Sequence, residues 1–598
     1  MEVPIEKTAT SQCAQMQHPT STPSSSTQTY QYLPLKHDRD IRLLCLLPGF
    51  NEAPLSCFLM IVSLSNLPVY EAISYTWGEP IFSAWIKCAP RGRLPITENL
   101  STALLHLRLA DQIRVLWVDA ICINQQDLVE RSHQVTLMRD TFEGAENVIV
   151  WLGEDTGNAD KAFEILRAIE SSSSDAHIFN LNLLDSESGK ALRELLGRSW
   201  FRRIWVVQEL VCASKATITC GSHEMEWERF LNVAGRINET GYLQGIADES
   251  VSDALFALAG MLRGRQMRQQ RENDDLETLL YSYRGCLASD PRDKVFALVG
   301  MASGQIAAAY TPNYSIEALE VYKNLAIQLI IAERNPNALV HCTHIAGSQA
   351  PLLPSWVPDW SQRLVFICSP LVWPSAYNAA AGTSFKGRVS EDLDELFLDG
   401  VILNTVEVLG SIRYPGAVQS DSVKNIQRMI ELNEEYLGMF RQSPHYRGCY
   451  WSAFTRALVA DKDHTGSRIG QRDLREVYFA YRKYFSYSLI FLATKRLSFH
   501  RGVDGTVEFP EYRDLDRAIS YAGFGRTFCI FDDGRAGWVP NTAEVGDRIA
   551  IFLGATVPIL LRPRGNGYIV LGEAYVHEMM DGQAFERPDV QIETITLI

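Results

Sequence analysis

Seven acidic, amide and aromatic side chains between positions 77 and 209 are of types that carry out chemistry in proteins. They are Trp77, Asp119, Asn124, Gln125, Glu130, Trp205 and Glu209. A carboxylate such as Glu209 can exchange a proton or stabilise a developing positive charge. An indole such as Trp77 can stack on a planar ring, and Gly78 beside it allows close approach to the backbone. These residues predict a candidate pocket, but they select no single reaction.

The stretch from 111 to 153 predicts the scaffold that positions most of them. Apolar runs at 115–118 and 148–151 have the length of buried strands. Between them, Asp127 precedes Glu130 with the spacing of a capping box, and the apolar residues that follow share one helical face. A strand–helix–strand unit of this length predicts a parallel pair of strands with a right-handed crossover.

The carboxyl ends of these strands are the expected place for a ligand. In open parallel sheets, ligands bind beyond the carboxyl ends of the strands. Asp119, Asn124 and Gln125 come directly after the first apolar run. An earlier strand contains Ser74 and leads into the loop that carries Trp77. We therefore expect these five residues to meet at one edge of the sheet.

Glu209 and Trp205 belong to a segment, residues 197–221, that predicts a helix followed by a strand. Trp200, Ile204, Val207 and Val211 are spaced to form its core face. A second face is formed by Arg202, Trp205, Glu209 and Cys212. This spacing places the Glu209 carboxylate one turn from an aromatic ring.

Several of these residues also have purely structural interpretations. Trp77 is equally compatible with a lid over the core, and Glu209 with an ion pair to a nearby arginine, Arg202 or Arg203. Glu130 is more simply explained as a capping-box residue.

A thiol–imidazole pair of Cys122 and His133 is disfavoured, because nothing in the sequence orients the two side chains toward each other. Zinc-ligand spacings, phosphate loops and nucleophile elbows are also missing from the sequence. We therefore expect no metal and no bound cofactor.

Composition restricts the class of protein. The net charge of −15 argues against a general binder of nucleic acid or of anionic membranes. The 12 cysteines form no Cys-x-x-Cys pair, which is typical of reduced intracellular thiols. The amino terminus lacks the pattern of a signal peptide, and the apolar runs are too short for a membrane span. We expect a cytoplasmic protein.

The fold class expected from these patterns is α/β, with a parallel sheet flanked by helices, then a helical region and a small C-terminal β-barrel or sandwich. The expected divisions are a disordered tail at 1–31, the α/β domain at 32–222, a helical extension at 223–374, a variable and mostly helical region at 375–500, and a β-rich domain at 501–598.

Three blocks of the sequence resemble the HET (heterokaryon incompatibility) domain of filamentous fungi. They are YEAISYTWGEP, LWVDAICINQQDLVERSHQVTLMRDTFEGAENVIVWLG and RSWFRRIWVVQEL. With weaker blocks around them, the resemblance covers about residues 32–361. It implies a role in non-self recognition that triggers cell death when different hyphae fuse.

The HET domain is in turn similar to TIR domains, which have a flavodoxin-like parallel sheet. Residues 74–79 are similar to the Ser-Phe-x-Gly-Glu strand and loop of plant TIR domains, with one extra residue. Residues 205–210 resemble their Trp-Cys-x-x-Glu-Leu helix, with Val206 in place of the cysteine.

This second resemblance implies that NAD is a possible substrate, cleaved at the nicotinamide–ribose bond with Glu209 as catalytic residue. Substrate binding would fall to Ser74, Trp77, Asp119, Asn124, Gln125 and Trp205. The implied partners are other incompatibility proteins, or further copies assembled through the HET domain. Two alternatives stay open: a non-catalytic signalling module, and a regulatory orphan member of the family.

Overall fold

The computed structural model describes seventeen stretches of the chain. They are residues 29–50, 53–78, 81–90, 92–172, 186–240, 249–306, 310–342, 353–362, 377–412, 423–446, 450–463, 466–470, 474–476, 478–479, 510–523, 525–588 and 590–598. The predicted tail at 1–31 therefore lies almost wholly outside the described residues. The described residues form two units, one comprising Met1–Leu243 with Ala247–Glu317, the other Gln244–Ile246 with Ala318–Ile598.

The first unit is built on a sheet of nine strands with helices in the connections. The strands are β1 (Asp40–Leu46), β2 (Ser56–Ser63), β3 (Glu71–Tyr75), β4 (Ala84–Cys88), β5 (Gly92–Ile96), β6 (Arg114–Trp117), β7 (Asn147–Trp151), β8 (Ala216–Cys220) and β9 (His223–Glu226). The helices are α1 (Glu98–Leu107), α2 (Asp119–Cys122), α3 (Leu128–Glu143), α4 (Ala159–Ser171), α5 (Glu187–Leu196), α6 (Trp205–Val211), α7 (Trp227–Thr240), α8 (Glu249–Gln269), α9 (Leu276–Ser282) and α10 (Asp293–Val299).

The strand order in this sheet is β5-β4-β2-β1-β6-β3-β7-β8-β9. The four strands β6, β3, β7 and β8 are mutually parallel, and β3 and β7 are buried along almost their whole length. Strands buried on both faces need apolar residues at successive positions, which explains runs such as Val148 to Trp151. Helices α1, α3 and α6 lie in the connections between these four strands.

The prediction of a parallel sheet is right for these four strands and wrong for the whole sheet. Strands β1 and β2 are antiparallel, as are β1 and β6, β4 and β5, and β8 and β9. The connection from β1 to β2 is short and carries no helix, and a parallel pair needs a long crossover. The predicted pair β6 and β7 is parallel, but β3 lies between the two strands.

The helix predicted across 200–211 is broken in two. Ser199–Arg202 is a single 3-10 turn, and α6 starts only at Trp205. Between them the backbone bonds to Leu287. The Ile204 N–H donates to the Leu287 carbonyl at 2.9 Å, and the Leu287 N–H donates to the Arg202 carbonyl. These bonds replace helical ones, so the side chains before and after the break no longer share one helical face.

The second unit contains the C-terminal β-barrel. Its strands are β10 (Gly387–Val389), β11 (Leu396–Ile412), β12 (Arg526–Phe531), β13 (Ala536–Pro540), β14 (Arg548–Phe552), β15 (Ile559–Arg564), β16 (Gly567–Glu573), β17 (Tyr575–Val576) and β18 (Glu593–Leu597). Its helices are α11 (Ala318–Ile327), α12 (Val423–Gln442), α13 (Tyr450–Leu458) and α14 (Pro510–Gly523), with a π-helical turn at Gln328–Ala332 and a 3-10 helix at Pro336–His341.

One strand, β11, closes the barrel. Along its 17 residues it pairs in turn with β18, β14 and β12, while β14, β15, β16 and β18 are joined in series. The ring therefore has no free edge at this point, which is how barrels avoid unpaired strands. Strand β11 comes from the region predicted as mostly helical, and the helix predicted near 423–439 is present as α12. A second helix predicted near 473–485 lies mostly outside the described residues.

Across the described part of the chain, every helix is too short or too polar to cross a membrane.

Two glycines of the second unit, one in the barrel and one on a helix, allow a stability test by the same substitution. A Cβ on Gly537 of β13 would overlap the Tyr575 carbonyl oxygen of β17. Because that atom is backbone, we expect Gly537→Ala to destabilise the protein by ~1–3 kcal/mol. Among the described residues, no side chain and no atom outside the neighbouring turns of α12 lies within 4 Å of the place that a Cβ on Gly438 would take. Gly438→Ala should therefore stabilise by up to ~1 kcal/mol. Thermal unfolding of both variants measures the two changes in stability. Changes of the same sign and size would contradict the prediction.

Candidate functional site

Three side chains at the end of β3 form a buried hydrogen-bonded chain. The indole N–H of Trp200 donates to Ser74 Oγ at 2.9 Å, and the Ser74 hydroxyl donates in turn to the Glu209 carboxylate in a short bond. Glu209 is 4% exposed, and Ser74 and Trp200 are each 1% exposed. The structure therefore joins β3, the 3-10 turn before α6, and α6 itself through the Ser74 hydroxyl.

Burial controls the protonation of this carboxyl group. It raises the pKa of Glu209 to about 7, because the charged form loses its hydration. The charge of Arg203 and the hydrogen bond from Ser74 lower the pKa, and the neighbouring Asp119 raises it. Near neutral pH, Glu209 is thus present in both forms, which is the condition for a group that exchanges protons.

Arg203 provides the positive charge of this site. Its guanidinium donates to the Tyr75 carbonyl at the last position of β3. The same charge lowers the pKa values of Glu209 and Asp119, although burial raises both overall. The site consequently contains one cation between two carboxyl groups, of which at least one tends to be neutral. The predicted ion pair of Glu209 with Arg202 or Arg203 is absent from the described residues, and Arg203 acts on Glu209 through its charge alone.

Trp77 and Asp119 meet at the carboxyl edge of the sheet. The Trp77 indole N–H donates to Asp119 Oδ2 at 2.8 Å, and the Gln125 amide donates to the Asp119 carbonyl at 2.9 Å. Gly78 is exposed with φ of +74°, a conformation that favours glycine. Together with Ser74, these residues converge as the sequence predicts.

Asn124 and Glu130 stabilise the loop that follows β6. Asn124 Oδ1 accepts a long bond from its neighbour Gln126, and its backbone N–H donates to Glu130 Oε1 at 2.7 Å. The other Glu130 partner is Arg42 of β1, which donates to both carboxylate oxygens at 2.6 and 2.9 Å. Asp127 does cap α3. The capping-box interpretation of Glu130 is nevertheless wrong, because Arg42 binds its carboxylate.

Trp205 lies beside a different carboxylate. It is a hydrogen-bond partner of Asp293 at the start of α10, which also accepts from the Tyr314 hydroxyl at 2.5 Å. Trp205 and Glu209 lie one turn apart on α6, as the sequence predicts, but the Trp205 indole interacts with Asp293. Trp200, which sequence analysis assigned only to the core, is the indole that bonds to Ser74 beside Glu209.

Cys122 and His133 do not pair. The Cys122 thiol accepts from the Val118 N–H at 3.4 Å, and burial raises its pKa to about 12. His133 Nε2 is 2.6 Å from the Asp38 carbonyl oxygen. A thiol held neutral by burial is a poor nucleophile, so these residues provide no thiol–imidazole pair.

A cavity of ≈710 Å³ lies on the outer side of α3, away from Glu209. Its walls are formed by residues of α3 between 129 and 140 and by residues between 296 and 312, including Phe296 and Tyr310. Of the side chains considered above, only His133 lines it. The cavity therefore does not give access to the Ser74–Glu209 contact.

Comparisons with known proteins bear on this site. Residues 70–209 match the family described as heterokaryon incompatibility protein (HET), and residues 516–591 match the Het-6 beta-barrel domain. The chain is 24% identical over 650 aligned residues to heterokaryon incompatibility protein 6, OR allele, of Neurospora crassa, covering 91% of this chain and 94% of the relative. No solved structure matches significantly. The resemblance to HET domain proteins is confirmed, and the match spans Ser74, Asp119 and Glu209.

The raised pKa of Glu209 predicts a pH-dependent effect of Glu209→Gln on stability. The unfolded chain ionises this group near pH 4.5 and the folded chain near 7. The raised pKa therefore stabilises the folded state fully below pH 4.5, and this stabilisation is lost as pH rises through 7. Relative to wild type, the free energy of unfolding of Glu209→Gln should rise by on the order of 2–3 kcal/mol between pH 5 and 8. Denaturant unfolding at both pH values measures this. Glu98→Gln, at an exposed carboxylate, should show no such gain; parallel behaviour of both variants would refute the assignment.

Removal of Glu130 should strongly destabilise the first unit. The Arg42 side chain is 1% exposed, and Glu130→Ala would leave it buried without its carboxylate. We expect a loss of ~3–5 kcal/mol, as for other broken buried ion pairs. On the same helix, Glu143 pairs with Arg268 at 3.0 Å with 46% of its side chain exposed, and Glu143→Ala should cost less than ~1 kcal/mol. Similar losses in urea unfolding would show that burial does not strengthen the Arg42 pair.

Proposed function

We propose that this HET-domain protein, with its Het-6 β-barrel, acts in heterokaryon incompatibility, the non-self recognition that follows fusion of fungal hyphae. Support comes from the HET match over residues 70–209 and from the relative in Neurospora crassa, which carries that function in its name. In this proposal the HET domain is the effector and regulated cell death in the cytoplasm is its output.

We further propose that the effector reaction is cleavage of NAD at the nicotinamide–ribose bond. The observation that carries this proposal is the contact between Ser74 and Glu209 at the carboxyl edge of the sheet, where α/β proteins bind ligands. The order of the parallel strands is also supportive. Numbered along the chain as first to fourth, β3, β6, β7 and β8 lie in the order 2-1-3-4, which is the start of the flavodoxin-like order.

The residues divide the chemistry as follows. Glu209 in its ionised form would accept hydrogen bonds from the ribose hydroxyls and stabilise the oxocarbenium-like transition state. Ser74, bonded to Trp200, holds that carboxylate in position. Trp77 and Asp119 would contact the rest of the substrate, with Asn124 and Gln125 in the loop behind them. Trp205 faces Asp293 and takes no part in this arrangement.

A second candidate is a non-catalytic module that signals through domain contacts. The observation in its favour is the 4% exposure of Glu209, whose carboxylate already has Ser74 as a partner. In both readings the partners are other incompatibility proteins or further copies of the HET domain. Assembly is also the step that would open the site if the domain is catalytic.

Expression in a fungal host separates the two candidates. Wild type, Glu209→Gln and Glu98→Gln are induced to equal protein levels, and cell viability and NAD content are followed together. Catalysis predicts that wild type and Glu98→Gln deplete NAD and kill cells, while Glu209→Gln depletes NAD at least about tenfold more slowly, the loss of rate expected for a group of this kind. Death with constant NAD in all three strains would favour the signalling module, and survival of all three would reject the proposed function.

A further inference from the structure

We propose that Cys57 and Cys88 form a reversible disulfide that closes a covalent ring around β3 and the Trp77 loop. This modification site is independent of the proposed function. It is inferred from the register of two neighbouring strands and from the direct contact of the two thiols.

The strand register brings the two cysteines together. β2 and β4 are parallel neighbours, and Cys57 is the pairing partner of Cys88. The backbone holds this register on both sides, because the Ala89 N–H donates to the Cys57 carbonyl at 2.9 Å and the Lys87 N–H to the Leu55 carbonyl at 3.0 Å. Neighbouring strands place such Cα atoms about 4.8 Å apart. That spacing falls within the range of about 4.4–6.8 Å that a disulfide can bridge.

The side chains are in contact as well. The Cys57 and Cys88 thiols lie close enough for each to shift the pKa of the other, and the Leu59 backbone and the Tyr30 side chain also act on the Cys88 thiol. These contacts lower the pKa of the Cys88 thiol, which favours its thiolate form. Both residues are reduced in the structure. Among the residues that the structure describes, no three metal-ligating side chains cluster, so this pair is not part of a metal site.

A peroxide would complete the reaction. The Cys88 sulfur attacks a peroxide oxygen, the O–O bond breaks, one water leaves and a sulfenic acid forms. The Cys57 sulfur then attacks the Cys88 sulfur, the S–O bond breaks and a second water leaves. The two cysteines together lose two electrons and two protons, and the peroxide is reduced to two molecules of water.

Access is the slow step, because both thiols are fully buried. The pair joins β2 to β4 near one edge of the sheet, with only β5 beyond it. Edge strands open locally more readily than central ones, and peroxide is small. Once formed, the bond would constrain residues 57–88, which include Ser74 and Trp77. The oxidised chain should therefore hold the loop after β3 more rigidly.

The test uses the purified full-length protein treated with hydrogen peroxide, then alkylated and digested for mass spectrometry. A peptide pair joining Cys57 to Cys88 should appear with the loss of two hydrogens and disappear after dithiothreitol. Hydrogen exchange at residues 71–78 should slow at least twofold in the oxidised protein. Cys529, equally buried in the barrel and bonded to the Gly537 carbonyl, is the matched control and should stay reduced.

Variants keep the test decisive if oxidation also unfolds some molecules. In Cys57→Ala and Cys88→Ala the linked peptide and the slowed exchange should both be lost, while Cys529→Ala should retain both. Linkage of either cysteine to another thiol, or oxidation to sulfinic acid without linkage, would overturn the proposal. Persistence of both free thiols at peroxide levels that oxidise Cys529 would overturn it too.

Discussion

The burial of one carboxyl group between β3 and α6 is the constraint on which the first unit depends. Glu209 is almost completely removed from water, and a charged carboxylate in such a place needs compensation. Ser74 offers a hydroxyl donor and Arg203 a positive charge, while burial keeps the group neutral part of the time. The Arg203 guanidinium also binds the end of β3. The same interactions that accommodate the carboxyl group therefore fix the carboxyl edge of the sheet.

A second buried charge, that of Arg42, holds the loop that follows β6 at the same edge. Its guanidinium binds Glu130, the Cys122 carbonyl and the Leu33 carbonyl, and it lies 4.9 Å from the centre of the Tyr32 ring. Because Glu130 also accepts from the Asn124 backbone, the loop after β6 is attached to β1 at two points. That attachment leaves Asp119 beside Trp77. The Arg42–Glu130 ion pair thus fixes the loop that carries Asp119, although neither of its residues contacts Trp77 or Glu209.

The parts of the fold that depend on local pattern were predictable, and those that depend on distant backbone bonds were not. β3, β6 and β7 follow from apolar runs, and the cap of α3 follows from Asp127. The meeting of Ser74, Trp77 and Asp119 follows from the rule that parallel strands share one carboxyl edge.

The bond of Trp200 to Ser74 did not follow, because Leu287 interrupts the predicted helix between Trp200 and Trp205 from more than eighty positions away. Strand β11 was not predicted either, because its pattern also depends on distant backbone. Glycine is disfavoured inside strands, yet in the barrel a Cβ at Gly400 would lie only 2.7 Å from the Ile551 carbonyl oxygen. A glycine that interrupts a local pattern can therefore be required by a neighbouring strand, which a single sequence does not display.

The loop after β3 is more exposed than the strand that carries it. In the described structure its side-chain contacts are few: the Asn99 amide donates to the Thr76 carbonyl at 2.6 Å, and the Trp77 indole to Asp119 at 2.8 Å. Loops with few buried contacts open at lower free energy than the strands that carry them. Displacement of residues 76–78 would break these two bonds while leaving the Trp200–Ser74–Glu209 chain intact, because the three side chains of that chain come from β3, the 3-10 turn and α6. The loop can therefore move without disturbing the bonds that hold the buried carboxyl group.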